Sequence, residues 1–148
     1  MSENLIIRHW IATSPEEVWR AYTTPEILHQ FFAPEGLSIP LDSVVIEPWV
    51  GGRFECTMVF DDTGAENPNI GVLEVVDPPH RLVGGEPSLG FRSTQTFTVE
   101  HGGTLITVVQ ERLPAEVVAD PEVVAAFRSS FRKLGRVYGV DTEERDCN

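Results

Sequence analysis

The chain has 148 residues, 41% of them hydrophobic and 23% charged, which suits one domain with a proper core and an ordinary globular composition. Its formal net charge is −12, from 23 acidic and 11 basic residues. A surface of that sign repels nucleic acid and anionic lipid, so neither nucleic acid nor membrane is expected as a partner.

Residues 5–11 read as a first strand, with Leu5, Ile7, His9 and Ile11 on one side and Arg8 and Trp10 on the other. Three triplets then punctuate the chain as helix starts: Ser14-Pro15-Glu16, Thr24-Pro25-Glu26 and Asp120-Pro121-Glu122. In each, a short polar side chain caps free backbone N–H groups and Pro fits the first helical position. Glu suits the positive end of the helix dipole. The first is a full capping box, because Glu17 stands three residues after Ser14. Helices are expected over 15–22 and 25–32, the second stopped by Pro34 and Gly36.

Residues 44–49 read as a strand and Gly51-Gly52 as a hairpin turn. In 53–60, Phe54, Cys56, Met58 and Phe60 alternate with Arg53, Glu55, Thr57 and Val59, which gives one apolar face. A polar loop follows at 61–69, then a strand at 70–76 and a short one at 81–83. Gly84 to Gly90 is too rich in Gly and Pro for regular structure. Residues 91–100 and 104–113 are longer strands rich in Thr and Val. In 121–138, Val123, Phe127, Phe131, Leu134 and Tyr138 form one helical stripe, and Gly139 is a natural C′ residue. Four basic residues of this segment, Arg128, Arg132, Lys133 and Arg136, read as a solvated helix face. Residues 139–148 read as a polar tail beyond an ordered core at 5–138, all within a single domain.

No apolar stretch approaches bilayer length, and residues 1–30 lack the basic start and apolar run of a secretory leader. Cys56 and Cys147 give no disulfide framework, so the cytoplasm is the expected location.

The order of elements implies an α+β domain: a strand, two short helices, about six antiparallel strands and a long amphipathic helix. Such a sheet twists and curls, and a straight helix across its concave face leaves space that neither fills.

The chain resembles the START-like helix-grip superfamily, and within it the family related to activators of the heat-shock-protein-90 ATPase. The resemblance runs over roughly residues 5–138. It rests on SPEEVWRAYTTPEILHQFFAP at 14–34, VGGRFECTM at 50–58, GVLEVVDPPHRLV at 71–83 and TQTFTVEHGGTLITVVQ at 94–110. The family often carries Trp beside the aromatic that ends the second helix, where this chain has Phe31-Phe32. It often has Gly-Trp near the start of the last helix, where this chain has Ala126-Phe127 or Ser130-Phe131. The resemblance implies a helix-grip fold with an internal cavity.

The candidate cavity lining is aromatic and apolar at Phe32, Trp49, Phe54, Met58, Phe97, Phe127 and Phe131, with Trp49 at the rim. Glu74 and Gln110 join it as polar residues set between apolar neighbours, as Gln95 and Arg112 also are. An inward acid or amide would orient a ligand or serve as acid or base, whereas simple alternation would place each on the wet face of the sheet. Cys56 reads as a small buried hydrophobe, and His29 is weighed for the cavity mouth but left out of the expected lining. His9, His29, His80 and His101 lack metal-binding spacing, and no Gly-x-Ser-x-Gly elbow is present. No catalytic residue, metal or cofactor is therefore expected.

The first reading is a binding protein for a small hydrophobic molecule. The alternative implied by the resemblance is a cyclase- or aromatase-like enzyme using the same cavity. The third is a co-chaperone for a heat-shock-protein-90 ATPase. A homodimer is compatible with all three and fixed by none of them.

Overall fold

The computed structural model describes residues 2–86 and 90–146, with the side chains of Ser2 and Glu3 excepted. Among the described residues, nine strands form one antiparallel sheet in the order β2-β4-β5-β6-β7-β8-β1-β9, with β3 also paired to β4. β1 (Ser2–Ile11) leads into α1 (Pro15–Thr23) and α2 (Pro25–Phe31). β2 (Leu37–Ser38) and β3 (Val45–Ile46) are short edge pieces, and β4 (Arg53–Phe60) opens the meander. β5 (Glu66–Asp77), β6 (Arg81–Glu86), β7 (Phe91–Glu100) and β8 (Gly103–Pro114) follow as consecutive neighbours. The short α3 (Ala115–Val118) precedes α4 (Pro121–Tyr138), and β9 (Thr142–Arg145) closes the described chain.

The caps act as the sequence requires at two of the three helix starts. The Ser14 side chain accepts from the Glu17 N–H, and Asp120 accepts from the Glu122 N–H. Thr24 makes no such bond. Gly139 ends α4 at φ 66°, a left-handed backbone that an L side chain resists.

The inner face of the sheet is set by register. Leu5 pairs with Gln110, Gln110 with Ser93, Ser93 with Gly84, and Gly84 with Leu73. One row thus crosses five strands. The next row is Ile7, Val108, Gln95 and Leu82. α4 lies against β1 and α2, and α1 against β7 and β8. Ile7, Ile106, Val18, Leu28 and Leu134 are fully buried where these layers meet. This is the α+β helix-grip architecture, a curved sheet around a long C-terminal helix.

Of residues 44–49, read as strand, only Val45–Ile46 is strand, and three further segments are strand where the sequence reading had none. The polar run after Gly139 does not trail away, because Thr142–Arg145 pairs with β1 as β9. Glu66 to Asn69, read as loop, belongs to β5, because Met58, Thr57 and Cys56 of β4 supply its partners. Gly84, Gly85 and Glu86 are strand, held between β5 and β7. Of the stretch expected to be irregular, residues 87–89 lie outside the described residues. In these three segments pairing with a neighbour outweighs weak local strand preference.

Candidate functional site

Between α4, the end of α2 and the inner face of β4–β8 lies a partly enclosed cavity of about 270 Å³. Its apolar wall comes from three directions. Phe54, Cys56 and Met58 rise from β4, Phe127 and Phe131 descend from α4, and Phe31 and Phe32 close the α2 end. Phe32 meets Phe54 edge-to-face at 5.8 Å and Tyr22 at 6.2 Å, while Tyr22 meets Phe31 at 5.3 Å. Such pairs fix ring orientation beyond simple area burial. The floor is thin at Gly71, Gly84 and Gly85. A Cβ on Gly84 would stand 3.2 Å from Leu73 Cδ2, and one on Gly71 would stand 2.9 Å from the Phe54 carbonyl oxygen. A side chain at Gly71 is excluded by the Phe54 backbone and one at Gly84 would crowd Leu73, and the hollow remains.

The rim is fastened by polar contacts between α4 and the segment after α2. Lys133 Nζ donates to the carbonyls of Ala33 at 2.9 Å, Pro34 at 3.1 Å and Leu37 at 3.1 Å. Ser129 Oγ accepts from the Glu35 N–H at 3.0 Å, and Ser130 Oγ donates to the Phe32 carbonyl at 3.4 Å. Lys133 is therefore a clamp and not a solvated surface cation. Arg128 departs from that reading too. It is buried, donates to the carbonyls of Arg8 and Arg145, and pairs with Glu144 of β9 at 3.2 Å.

One side of the cavity is polar. Gln95 Nε2 donates to Ser93 Oγ at 2.6 Å, and Gln110 Nε2 donates to the same oxygen at 2.7 Å. All three residues line the cavity. Glu86 lines it as well, and its carboxylate accepts the Ile70 N–H at 3.1 Å. Burial pushes the Cys56 thiol up to about 11 and raises the Tyr22 phenol too, so both stay protonated at neutral pH.

Of the residues singled out from sequence, Phe32, Phe54, Met58, Gln110, Phe127 and Phe131 line this cavity. Trp49, Glu74 and Phe97 do not. Trp49 sits in the β3–β4 turn and is 58% exposed. Glu74 stands on the outer face, where Arg92 donates to its carboxylate at 2.7 Å. A register shift between Leu73 and Val75 marks the spot. Phe97 is on the inner face but 1% exposed, sealed beneath Trp19 and Tyr22 of α1. His29 is not among the lining residues, and its Nδ1 lies 3.2 Å from the Ile39 carbonyl oxygen. Sequence reasoning missed Ser93, Phe91 and the glycine floor, and it left Gln95 outside the site. Ser93 was legible in principle, two residues before Gln95 and so on the same face of one strand. Among the described residues, no three His, Cys, Asp or Glu side chains gather as metal ligands. None of the described helices is long and apolar enough to cross a membrane.

A family model described as Activator of Hsp90 ATPase homolog 1-like protein matches residues 12–139. The chain belongs to that family. No curated protein matches it in sequence. Solved structures do match in fold. A protein from Rhodobacter sphaeroides superposes with a TM-score of 0.82 at 23% identity, covering 92% of this chain and 91% of its own. One from Nitrosomonas europaea gives 0.81 at 20% identity, covering 92% and 94%. An AHSA1-like protein from Aeromonas hydrophila gives 0.76 at 22% identity, covering 93% and 94%. At these identities the likeness establishes the shared helix-grip fold. The cavity of this family member is lined by the residues of its own sequence described above.

Proposed function

We propose that this protein binds a small apolar or aromatic molecule between α4 and the inner face of the sheet. The observation that carries the reading is the cavity of about 270 Å³, walled mainly by aromatic and apolar side chains with a short polar margin. Ligand sites have that composition: an apolar body with a few placed polar groups. Volume supports it too. An apolar cavity of about 150 Å³ accepts one benzene, so this partly enclosed space of about 270 Å³ suits a molecule of roughly two to three rings.

The test is uptake of the neutral fluorescent probe N-phenylnaphthylamine. The unmodified protein should raise its emission and saturate. Phe127→Trp adds ring volume where α4 overhangs the hollow, and should weaken uptake by about tenfold or more while leaving the fold intact by circular dichroism. Unchanged uptake by that variant places the binding site elsewhere, and the reading fails.

A further inference from the structure

The polar side of the cavity is chemically specific. Two carboxamide N–H groups converge on one hydroxyl oxygen, Ser93 Oγ, at 2.6 and 2.7 Å. A serine hydroxyl offers two lone pairs and one hydrogen. Both lone pairs are thereby engaged, and the hydrogen is left to donate. With Nε2 of Gln95 and Gln110 directed at Ser93, each side-chain carbonyl oxygen is directed elsewhere as an acceptor. Neither oxygen is sealed from solvent without a partner; His9 Nε2 is the buried side-chain atom in that condition among the described residues.

Register explains why the three groups meet. Ser93 and Gln110 are directly paired across β7 and β8, and Gln95 follows Ser93 by two residues on the same face. Gly84 pairs with Ser93 from the other side, so no side chain of β6 covers the hydroxyl. The triad is open toward Phe54, Phe127 and Phe131 across the hollow.

Charge narrows the chemistry further. Among the described residues, no Lys or Arg lines the cavity, and the carboxylate that does is Glu86. An anionic guest would leave water without a cation to meet it, beside a carboxylate, in a protein of net charge −12.

We infer that the Ser93–Gln95–Gln110 triad selects an uncharged ligand carrying a hydroxyl group, seated with its apolar body against the phenylalanine wall. A hydroxyl is the smallest group that accepts from Ser93 and donates to a glutamine carbonyl at once. This inference rests on the small-molecule reading proposed above.

The experiment compares naphthol, naphthalene and naphthoate near neutral pH, by calorimetry or by quenching of protein fluorescence. The three share a body of about the size the cavity accepts and differ in the polar group. The unmodified protein should bind naphthol about tenfold more tightly than naphthalene, with naphthoate weakest. In Ser93→Ala the naphthol advantage should fall to within about twofold, while naphthalene affinity persists and reports an intact cavity. Gln110→Met should do the same. Equal binding of naphthol and naphthalene by the unmodified protein overturns the inference and leaves the small-molecule reading standing. Tighter binding of naphthoate than of naphthol also overturns it. If none of the three binds, the small-molecule reading falls and takes this inference with it.

Discussion

The two halves of α4 touch the same sheet and do opposite things. Its C-terminal half presses Leu134 into a solid layer, where it is fully buried, and Phe131 marks the border, stacked on His9 at 5.0 Å on one side and lining the cavity on the other. Its N-terminal half carries Val123, Val124 and Phe127, all partly exposed, and Phe127 overhangs the cavity. The apolar stripe is continuous, so the helix itself does not distinguish the halves. The facing surface does. Near Leu134 it meets β1, whose inner residues are Leu5, Ile7, His9 and Ile11. Across the cavity from Phe127 stand Gly71 and Gly84, on the inner face of the sheet. A hollow arises where a regular helix faces strands that lack side chains.

The largest expected effect breaks this comparison if it is wrong. Leu134→Ala should cost about 2–5 kcal/mol, since it opens a void in close-packed surroundings. Phe127→Ala removes more atoms, yet one side of that ring already faces open space, so about 1–2 kcal/mol is expected. Urea midpoints at unchanged slope measure both. Equal costs, or a larger cost at Phe127, would mean that the N-terminal half of α4 is also solid core.

That contrast was only partly legible beforehand. The capped helices, β7 and the full span of α4 follow from sequence alone, because caps and periodicity are local signals. β9 was not legible: Thr142, Glu143, Glu144 and Arg145 have no strand-like pattern, and β1 and Arg128 hold them from outside the segment. The candidate site divides in the same way. Phe54 and Met58 follow from alternation along β4, and Phe127 and Phe131 from the helical stripe. Phe97 shares the inner face, but whether α1 covers it is a tertiary fact that no local pattern carries.

A smaller effect tests the solid half through pH. His9 is 1% exposed, and its pKa is lowered from 6.5 to about 4. Burial is the main cause, followed by the charges of Arg128, Arg132 and Arg145. Arg128 Nη1 lies 3.3 Å from His9 Nδ1, which accepts when the imidazole is neutral. With the folded pKa below the unfolded one, the unfolded chain binds the extra proton. The stability linked to neutral His9 is therefore fully present above pH 6.5 and is lost as pH falls from 6.5 through about 4. The loss should be on the order of 3 kcal/mol. His9→Leu removes the titrating group and leaves Arg128 its carbonyl and Glu144 partners. The stability of that variant should fall less steeply over the same interval, by about the same amount. Parallel pH curves for the two proteins would show that His9 protonates as easily folded as unfolded.

The smallest effect separates the two faces of the sheet. Glu74 follows Leu73 in β5, yet Leu73 is buried on the inner face and Glu74 is exposed on the outer one. Its partner Arg92 also donates to Glu111 at 2.9 Å, so Glu74→Gln leaves that guanidinium paired. Exposed ion pairs contribute little, because solvent screens them and ordering two long side chains costs entropy. The substitution should change stability by less than about 0.5 kcal/mol and leave uptake of N-phenylnaphthylamine unaltered. A clear loss of uptake would mean that the Glu74 carboxylate reaches the hollow and does not stay beside Arg92 on the outer face. The inner polar residues differ from Glu74 for this reason: in a pleated strand, one step along the chain exchanges the hollow for bulk water.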